Sequence, residues 1–281
     1  MKQRKAVLPR TDRRKKRALS GMRVVTTREQ PDRDLVARLR KAGAVVVPLP
    51  CIELKPLPGG GAGFLKNPLR YDWVVLSSPK GVAFFMARLT AAGRDARSLA
   101  GVHLACMGPS TRAELLKWGL RPELTPKSAN QEGLVKTFQK ADLRGKRVLL
   151  ARAKESREVL DRALRAQGAR VGTWDLYRTT VPKNSKKKAL NLFARQGGAD
   201  LVVFASSLAA ENFYGFFTAT QKKKWLINLA VASIGPVTTK AVAKLGFKVS
   251  VEPPISTLSA LVEALKQWSK KKALLTTDAH R

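Results

Sequence analysis

The chain has 281 residues, of which 44% are hydrophobic and 6% aromatic, a composition that suits two domains with aliphatic cores. Its two cysteines, Cys51 and Cys106, are too few for a disulfide framework, which excludes the disulfide-rich secreted class and favours a reducing, cytoplasmic setting. The net charge of +34 favours anionic partners, and no apolar run is long enough to span a membrane.

Residues 1–20 are interpreted as a disordered basic arm. Residues 2–17 contain nine lysines and arginines against one acid, Asp12. The segment lacks the apolar stretch of a secretory signal. Further lysine clusters occur at 186–188, 222–224 and 270–272. The arm could therefore bind a secondary anionic partner such as RNA or a charged membrane surface.

After the arm, short apolar strands alternate with helices. Strands are predicted at 22–27, 45–47, 73–76, 102–107, 147–151 and 171–181, and helices at 31–42, 79–89, 109–118, 157–167 and 258–268. The Gly- and Pro-rich stretch 57–68 is expected to be a connector. This alternation predicts an α/β fold with parallel sheets that are covered by helices on both faces.

The second half of the chain repeats the first. The segment Gly108–Ala113, followed by Gly119 and Leu134, recurs as Gly235–Lys240, followed by Gly246 and Leu261, with the same offset throughout and no gap. An offset as long as that from Gly108 to Gly235 indicates a whole domain used twice, because solenoid units are much shorter. Two similar domains commonly leave a ligand-binding cleft between them.

Ligands of parallel α/β sheets bind beyond the carboxyl ends of the strands. The residues predicted there, each interpreted as following a strand and preceding a helix, are Arg28, Ser77, Ser78, Gly108, Thr111, Arg152, Ser206, Ser207, Gly235 and Thr238. Free N–H groups and hydroxyls at helix starts suit carboxylate or phosphate groups. For each hydroxyl the alternative is a plain helix cap.

The sequence lacks the motifs of several classes of enzyme. There is no GxGxxG after the first strand and no GxxxxGK[ST], HExxH, CxxC or GxSxG motif. The histidines are His103, in an apolar strand, and His280, beside the end of the chain. Any catalysis is therefore expected to use hydroxyls, backbone amides and positive charge.

A set of motifs in fixed order resembles one known family. The motifs are Val24–Arg28 with Gly43 and Pro48–Pro50, Leu76–Ser78, Gly108–Thr111, Asp175–Thr179, Phe204–Ser207 and Ile234–Thr238. Together they resemble the uroporphyrinogen-III synthases, from about Arg23 to Leu265. The resemblance implies conversion of hydroxymethylbilane, a linear tetrapyrrole with eight carboxylates, into uroporphyrinogen III. Water is lost and ring D is inverted, in a cytoplasmic monomer that uses no metal and no organic cofactor.

The same resemblance implies two flavodoxin-like α/β domains with parallel sheets, joined by a two-stranded β connector. Domain 1 would comprise 21–50 and 181–281, domain 2 would comprise 55–176, and the active site would lie in the cleft between them. The family's candidate acid falls on Tyr177, whose phenol is protonated at neutral pH. A packing role for this strand tyrosine is the alternative. Thr111 and Thr238 match the family's paired threonines and are assigned to binding.

Two other functions remain open on the sequence. A basic nucleic-acid-associated protein would use the arm and the lysine clusters to bind phosphates, although the aromatic residues needed for base stacking are few. A non-catalytic two-domain module could bind a polyanionic small molecule with the same residues.

Overall fold

The computed structural model describes residues 17–29 and 33–278, with side chains up to residue 273. This part of the chain forms two compact units. Unit 1 comprises the described residues up to Glu53 and from Val181 onward, and unit 2 comprises Leu54–Thr180. Unit 1 is therefore built from two separate stretches of chain, whereas unit 2 is continuous.

The strands are β1 (Arg23–Thr26), β2 (Val45–Pro48), β3 (Glu53–Pro56), β4 (Trp73–Leu76), β5 (His103–Cys106), β6 (Arg147–Ala153), β7 (Arg170–Thr180), β8 (Leu201–Phe204), β9 (Ala230–Ser233) and β10 (Val249–Val251). The helices are α1 (Arg33–Lys41), α2 (Ala62–Lys66), α3 (Pro79–Ala91), α4 (Pro109–Leu116), α5 (Gln131–Phe138), α6 (Val159–Ala166), α7 (Ser185–Arg195), α8 (Ser207–Gly215), α9 (Ala219–Trp225), α10 (Pro236–Lys244) and α11 (Leu258–Asp278). The predicted α/β fold with parallel sheets is confirmed.

The sheet of unit 1 has the strand order β10-β9-β8-β1-β2, and each neighbouring pair is parallel. Because successive side chains alternate between faces, Val24 and Val25 of β1 belong to different cores. Val24 packs in a cluster with Leu39 of α1 and Leu261 of α11. Val25 packs in a cluster with Phe213 of α8. The sheet is thus covered on both faces, as its continuous apolar strands predict.

The sheet of unit 2 has the order β3-β7-β6-β4-β5, with parallel pairing of β4 to β5, β4 to β6 and β6 to β7. All four residues of β4 are buried. Val74 packs in a cluster with Phe85 of α3, whereas Val75 packs in a cluster with Leu134 of α5. Helices therefore cover both faces of this sheet as well.

The two sheets share one strand order. When the five strands of unit 1 are numbered in the order in which they occur along the chain, their order in the sheet is 2-1-3-4-5. When the four strands β4 to β7 of unit 2 are numbered in the same way, their order is 2-1-3-4, and β3 lies beside β7 at the edge of the sheet. The chain changes direction of winding between the first and third strands. These switch points lie between β1 and β8 in unit 1 and between β4 and β6 in unit 2, and ligands of such sheets bind beyond the strand ends there.

The repeat extends into side-chain detail. Gly108 and Gly235 immediately precede α4 and α10. Further along each unit, Asn130 and Thr257 accept hydrogen bonds from the N–H groups of Gly133 and Ala260 at the starts of α5 and α11. Asn130 and Thr257 are separated by the same offset as the two glycines, so both units use the same device to start the same helices.

Three sequence-based boundaries differ from the structure. Residues 1–16 of the expected basic arm lie outside the described residues, but residues 17–20 form a turn in which Leu19 is fully buried, so they belong to unit 1. The expected connector at 57–68 contains α2, whose Phe64 is fully buried beside Trp174. The last helix extends to Asp278. Among the described residues, no helix combines the length and apolarity that crossing a membrane requires.

Candidate active site

Six of the predicted site residues lie at the carboxyl-end edge of unit 2: Ser77, Ser78, Gly108, Thr111, Arg152 and Tyr177. The pairing brings them together, because Leu76 at the end of β4 is paired with Cys106 of β5 and with Ala151 of β6. Arg152 is paired with Asp175 and Ala153 with Tyr177 in β7. The expectation that every site residue lies between a strand and a helix is wrong for Arg152, because β6 extends to Ala153. It is also wrong for Thr111, Ser207 and Thr238, which lie in the first turns of α4, α8 and α10.

The hydroxyl of Tyr177 lies 3.0 Å from Oγ of Ser78. Ser78 is the N-cap of α3, and its Oγ accepts a hydrogen bond of 2.9 Å from the backbone N–H of Gly81. The Tyr177 ring stacks on Phe84, with ring centroids 4.8 Å apart and planes inclined by 20°. The helix cap and the aromatic stack therefore fix the phenol in place at the edge of the sheet.

The charge of Arg152 at this edge is only partly compensated. Its side chain is 14% exposed, and its Nε lies 3.8 Å from Oδ1 of Asp175, which is too long for a hydrogen bond. Both atoms are buried and have no hydrogen-bond partner in the described part of the chain. Because buried polar groups are nearly always satisfied, these two atoms indicate a further hydrogen-bond partner at this point, such as a water molecule.

A small cavity lies beside Arg152 at the switch point of unit 2. Its walls include Val75 of β4, Leu150 of β6, Ser77 and Arg152, and its volume of about 20 Å³ has room for one water molecule. The Ser77 hydroxyl makes no hydrogen bond among the described residues. The neighbouring Arg157 forms an ion pair with Glu132, and the hydrogen bond from Arg157 lowers the pKa of that carboxyl. The cavity is therefore lined by polar groups with unused hydrogen-bonding capacity.

Five predicted residues lie at the equivalent edge of unit 1: Arg28, Ser206, Ser207, Gly235 and Thr238. They follow β1, β8 and β9, which are neighbours in the sheet. Ser206 is the N-cap of α8, but its side chain does not cap the helix and makes no hydrogen bond to the described residues. The Ser207 hydroxyl donates only a long hydrogen bond of 3.5 Å to the carbonyl of Val237. The Ser206 hydroxyl is thus free to bind a ligand.

Gly108 and Gly235 are needed for close packing. A Cβ at Gly108 would lie 2.7 Å from Cβ of Ala129, and a Cβ at Gly235 would lie 2.1 Å from Oγ of Ser256. Both glycines are extended and leave the helix N-terminus without a side-chain cap. The N–H groups behind them remain for other acceptors. Thr111 and Thr238 are 2% and 6% exposed and Tyr177 is 6% exposed, so all three are buried residues.

One polar network at the edge of unit 1 has no counterpart among the sequence-based predictions. The Thr239 hydroxyl contacts both Ser233 at the end of β9 and Glu252 after β10. Cys106 and Thr125 occupy the positions of Ser233 and Glu252 in the earlier copy of the repeat, and their Sγ and Oγ1 are 3.3 Å apart. Comparison of the two halves of the sequence at the offset of the repeat would have aligned Ser233 with Cys106 and Glu252 with Thr125. Asp175 and Phe84 carry no such signal, because their role arises from contacts between distant segments.

The structure also bears on the histidines and on metal sites. His103 begins β5 at the opposite end of the strand from the candidate site, and its Nδ1 lies 3.5 Å from Glu123. His280 lies outside the described residues. Within the described ranges, no group of three or more histidine, cysteine, aspartate or glutamate side chains is placed to hold a metal ion.

Comparison with known proteins gives one consistent result. A family model described as uroporphyrinogen-III synthase HemD matches residues 33–263. A uroporphyrinogen-III synthase of Synechococcus elongatus is 30% identical over 262 residues, which cover 90% of this chain and 97% of the relative. The corresponding protein of Chlorobaculum parvum is 26% identical over 248 residues, which cover 86% of this chain and 98% of the relative.

Solved structures share the fold. The crystal structure of a mutant uroporphyrinogen III synthase from Thermus thermophilus matches with a TM-score of 0.67 and 19% identity, covering 89% of this chain and 100% of the other. The structure of uroporphyrinogen-III synthetase from Helicobacter pylori matches with a TM-score of 0.59 and 16% identity, covering 86% and 97%.

Proposed function

The chain belongs to the uroporphyrinogen-III synthase family, and on this premise we propose how its residues perform the reaction. It is a cyclising lyase that converts hydroxymethylbilane to uroporphyrinogen III in tetrapyrrole biosynthesis, with loss of water and inversion of ring D. The family match favours this activity over a nucleic-acid-associated protein and over a non-catalytic polyanion binder.

We propose that units 1 and 2 are flavodoxin-like domains. The strand order 2-1-3-4 that both sheets contain supports this assignment, because it is the order of doubly wound flavodoxin-like sheets. The chain passes between the units at residues 53–54 and 180–181. The neighbouring strands β3 and β7 then supply the two-stranded connector, and the N–H of Leu57 donates to the carbonyl of Leu176 in this region.

We propose that the carboxyl-end edge of each unit binds carboxylates of the substrate. The free hydroxyls of Ser77 and Ser206, the guanidinium of Arg152 and the uncapped helix starts after Gly108 and Gly235 are hydrogen-bond donors suited to carboxylates. The net charge of +34 raises the local concentration of a substrate with eight carboxylates.

The contact between Tyr177 and Ser78 is the observation on which the catalytic proposal rests. Tyr177 donates its proton to the leaving hydroxyl of hydroxymethylbilane, and the C–O bond breaks to release water. Ser78, whose Oγ already accepts from the Gly81 N–H, stabilises the phenolate by donating a hydrogen bond to its oxygen. The phenolate then takes up the proton that the unsubstituted carbon of ring D loses when the ring recloses, so the net change is the loss of one water.

Little chemical activation is needed beyond this proton transfer. Departure of the hydroxyl leaves a resonance-stabilised cation on an electron-rich pyrrole. The enzyme's main task is to hold the chain so that the substituted carbon of ring D is attacked, which gives a spiro intermediate that fragments and recloses. Donors distributed over many positions suit this task, because they fix several carboxylates at once.

The defining test uses hydroxymethylbilane generated in situ. The wild-type protein should divert it from the spontaneous isomer I to isomer III, and an unchanged isomer ratio would remove the proposed function. Ser206→Ala should raise the KM in the same assay without lowering the melting temperature, because this hydroxyl makes no hydrogen bond to the described residues. An unchanged KM would exclude the edge of unit 1 from substrate binding.

We propose a monomer, as the family resemblance implies, and a cytoplasmic location, which the small number of cysteines supports. Gel filtration of the purified chain at micromolar concentration should give the mass of one chain, 30.8 kDa. A larger species would overturn the monomer.

A further inference from the structure

Unit 2 contains a second candidate site at the opposite end of its sheet. A cavity of about 530 Å³ lies where β6 and β7 begin, and its walls include Arg70, Tyr71, Arg147, Arg165 and Arg170. Its volume is typical of small-molecule sites. Because β6 extends over seven residues, the cavity is about 20 Å along the strand from the edge that carries Tyr177.

The positive charge of this cavity is only partly compensated. Arg165 forms an ion pair with Asp161 and donates to the carbonyl of Val171. In contrast, Arg70, Arg147 and Arg170 are exposed, and their guanidinium groups make no ion pair with the described residues.

The carboxylate of Asp72 compensates the charge of Arg147 in part, because the two charges attract each other. Asp72 accepts a hydrogen bond from the backbone N–H of Arg147 and forms an ion pair with Lys146. Among the described residues, Arg70 and Arg170 therefore have no compensating carboxylate, and Arg147 is only partly compensated.

The chemistry of the lining favours phosphate groups. Guanidinium groups bind phosphate oxygens through two parallel hydrogen bonds, and a chain of phosphates concentrates several charges in a small volume. A single carboxylate would leave two of the three arginines uncompensated. The Tyr71 hydroxyl makes no hydrogen bond to the described residues, so it is a further donor to a phosphate oxygen.

We propose that this cavity binds a small triphosphate-bearing anion through Arg70, Arg147 and Arg170. The shared ligand chemistry is a linear triphosphate, which occurs as the free inorganic ion or as part of a nucleoside triphosphate. This site is separate from the site of cyclisation.

Isothermal titration calorimetry of the full chain with inorganic triphosphate, at 0.15 M salt, tests the proposal. Arg147→Gln/Arg170→Gln should weaken binding at least about tenfold, because each substitution removes a charge-assisted contact. The matched control is Arg40→Gln/Arg195→Gln, which removes the same charge from exposed helix positions in unit 1. This control should bind within about twofold of wild type, since long-range attraction alone is weakly affected at this salt. Equal losses in both double variants, or no binding by wild type, would overturn the site.

Further titrations decide the ligand class. ATP binding that competes with inorganic triphosphate supports a nucleotide source, whereas failure of ATP to compete supports the free ion. Citrate that binds as tightly as triphosphate, or uroporphyrin that displaces triphosphate from the cavity, would overturn the phosphate assignment in favour of carboxylates. Both double variants should retain full isomer III formation. Absence of triphosphate binding by a wild-type protein that still forms isomer III would therefore refute this inference alone and leave the proposed function standing.

Discussion

Removal of a single oxygen atom, in Tyr177→Phe, tests the catalytic proposal most directly. The phenylalanine keeps the buried ring and its stack on Phe84 but loses the hydroxyl that lies 3.0 Å from Oγ of Ser78. Ser78 still accepts from the N–H of Gly81, so the cap of α3 is kept. The expected loss of folding stability is therefore about 1 kcal/mol, the net worth of one hydrogen bond.

The expected loss of activity is much larger than the loss of stability. Positioned general acids contribute about 10²- to 10⁴-fold to a rate, so the kcat of Tyr177→Phe should fall by about that factor while the KM stays near the wild-type value. The assay quantifies isomer III formed from hydroxymethylbilane by single-turnover quench, with the melting temperature measured in parallel. Tyr214→Phe, the same deletion at a half-buried tyrosine of α8 in unit 1, should keep full activity.

Ser78→Ala completes the comparison. It removes both the helix cap and the partner of Tyr177, so stability should fall by about 0.5–2 kcal/mol, and kcat should fall less than in Tyr177→Phe because the phenol remains. A kcat of Tyr177→Phe within twofold of wild type would refute the acid role and leave the tyrosine with a packing function. A kcat loss in Ser78→Ala that exceeds that of Tyr177→Phe would instead make the serine the more important hydroxyl.

The remaining predictions concern the framework around the site. Gly108→Ala and Gly235→Ala each place a Cβ within 2.7 Å of a loop neighbour, so urea denaturation should show each variant about 1–3 kcal/mol less stable, and wild-type stability would disprove the close packing. The pKa of Asp72 is lowered in the fold, chiefly by the hydrogen bond from the N–H of Arg147, so this carboxylate stabilises the protein at neutral pH and loses that effect as the pH falls below 3.8 through its folded-state pKa. Asp72→Asn should therefore be less stable than wild type at neutral pH but not in strong acid, and a pH-independent difference in urea midpoints would contradict this account. Burial raises the pKa of the Cys51 thiol, so iodoacetamide at mildly alkaline pH should leave it unmodified by mass spectrometry until urea is added, and labelling of the native protein would contradict its burial.

Local pattern is sufficient to predict most of the framework. The strand at Trp73–Leu76 is predicted with its observed bounds, because four consecutive apolar residues lie between polar turns. The carboxyl-end edges can also be predicted, since a parallel sheet brings together the residues that follow neighbouring strands. The strand order within each sheet cannot be predicted from local pattern, because pairing depends on packing between segments that are far apart in the chain.

In the site, too, local pattern predicts individual residues but not the contacts between distant segments. Tyr177 and Ser78 are each predicted as site residues, but their contact joins distant positions of the chain and has no local signature. The short helix α2 is missed because Gly60 and Gly61 resemble a flexible linker. In the fold these glycines adopt positive φ and lie against the Trp174 ring, where a larger residue would clash. Glycine is therefore required at these two positions by close packing against Trp174 as well as by the turn.

The discontinuity of unit 1 has a consequence for synthesis on the ribosome. Strand β1 pairs with β8, which is translated only after the whole of unit 2, whereas unit 2 emerges as one continuous stretch. At about 5–20 residues per second, the β1–α1–β2 segment waits roughly 10–35 seconds for its partner. During that interval the apolar surface of Val24 and Leu39 lacks the residues of α11 that cover it in the native fold. Exposed apolar surface favours aggregation during this interval, and repulsion between the many positive charges of the chain opposes it until residues 181–281 are made.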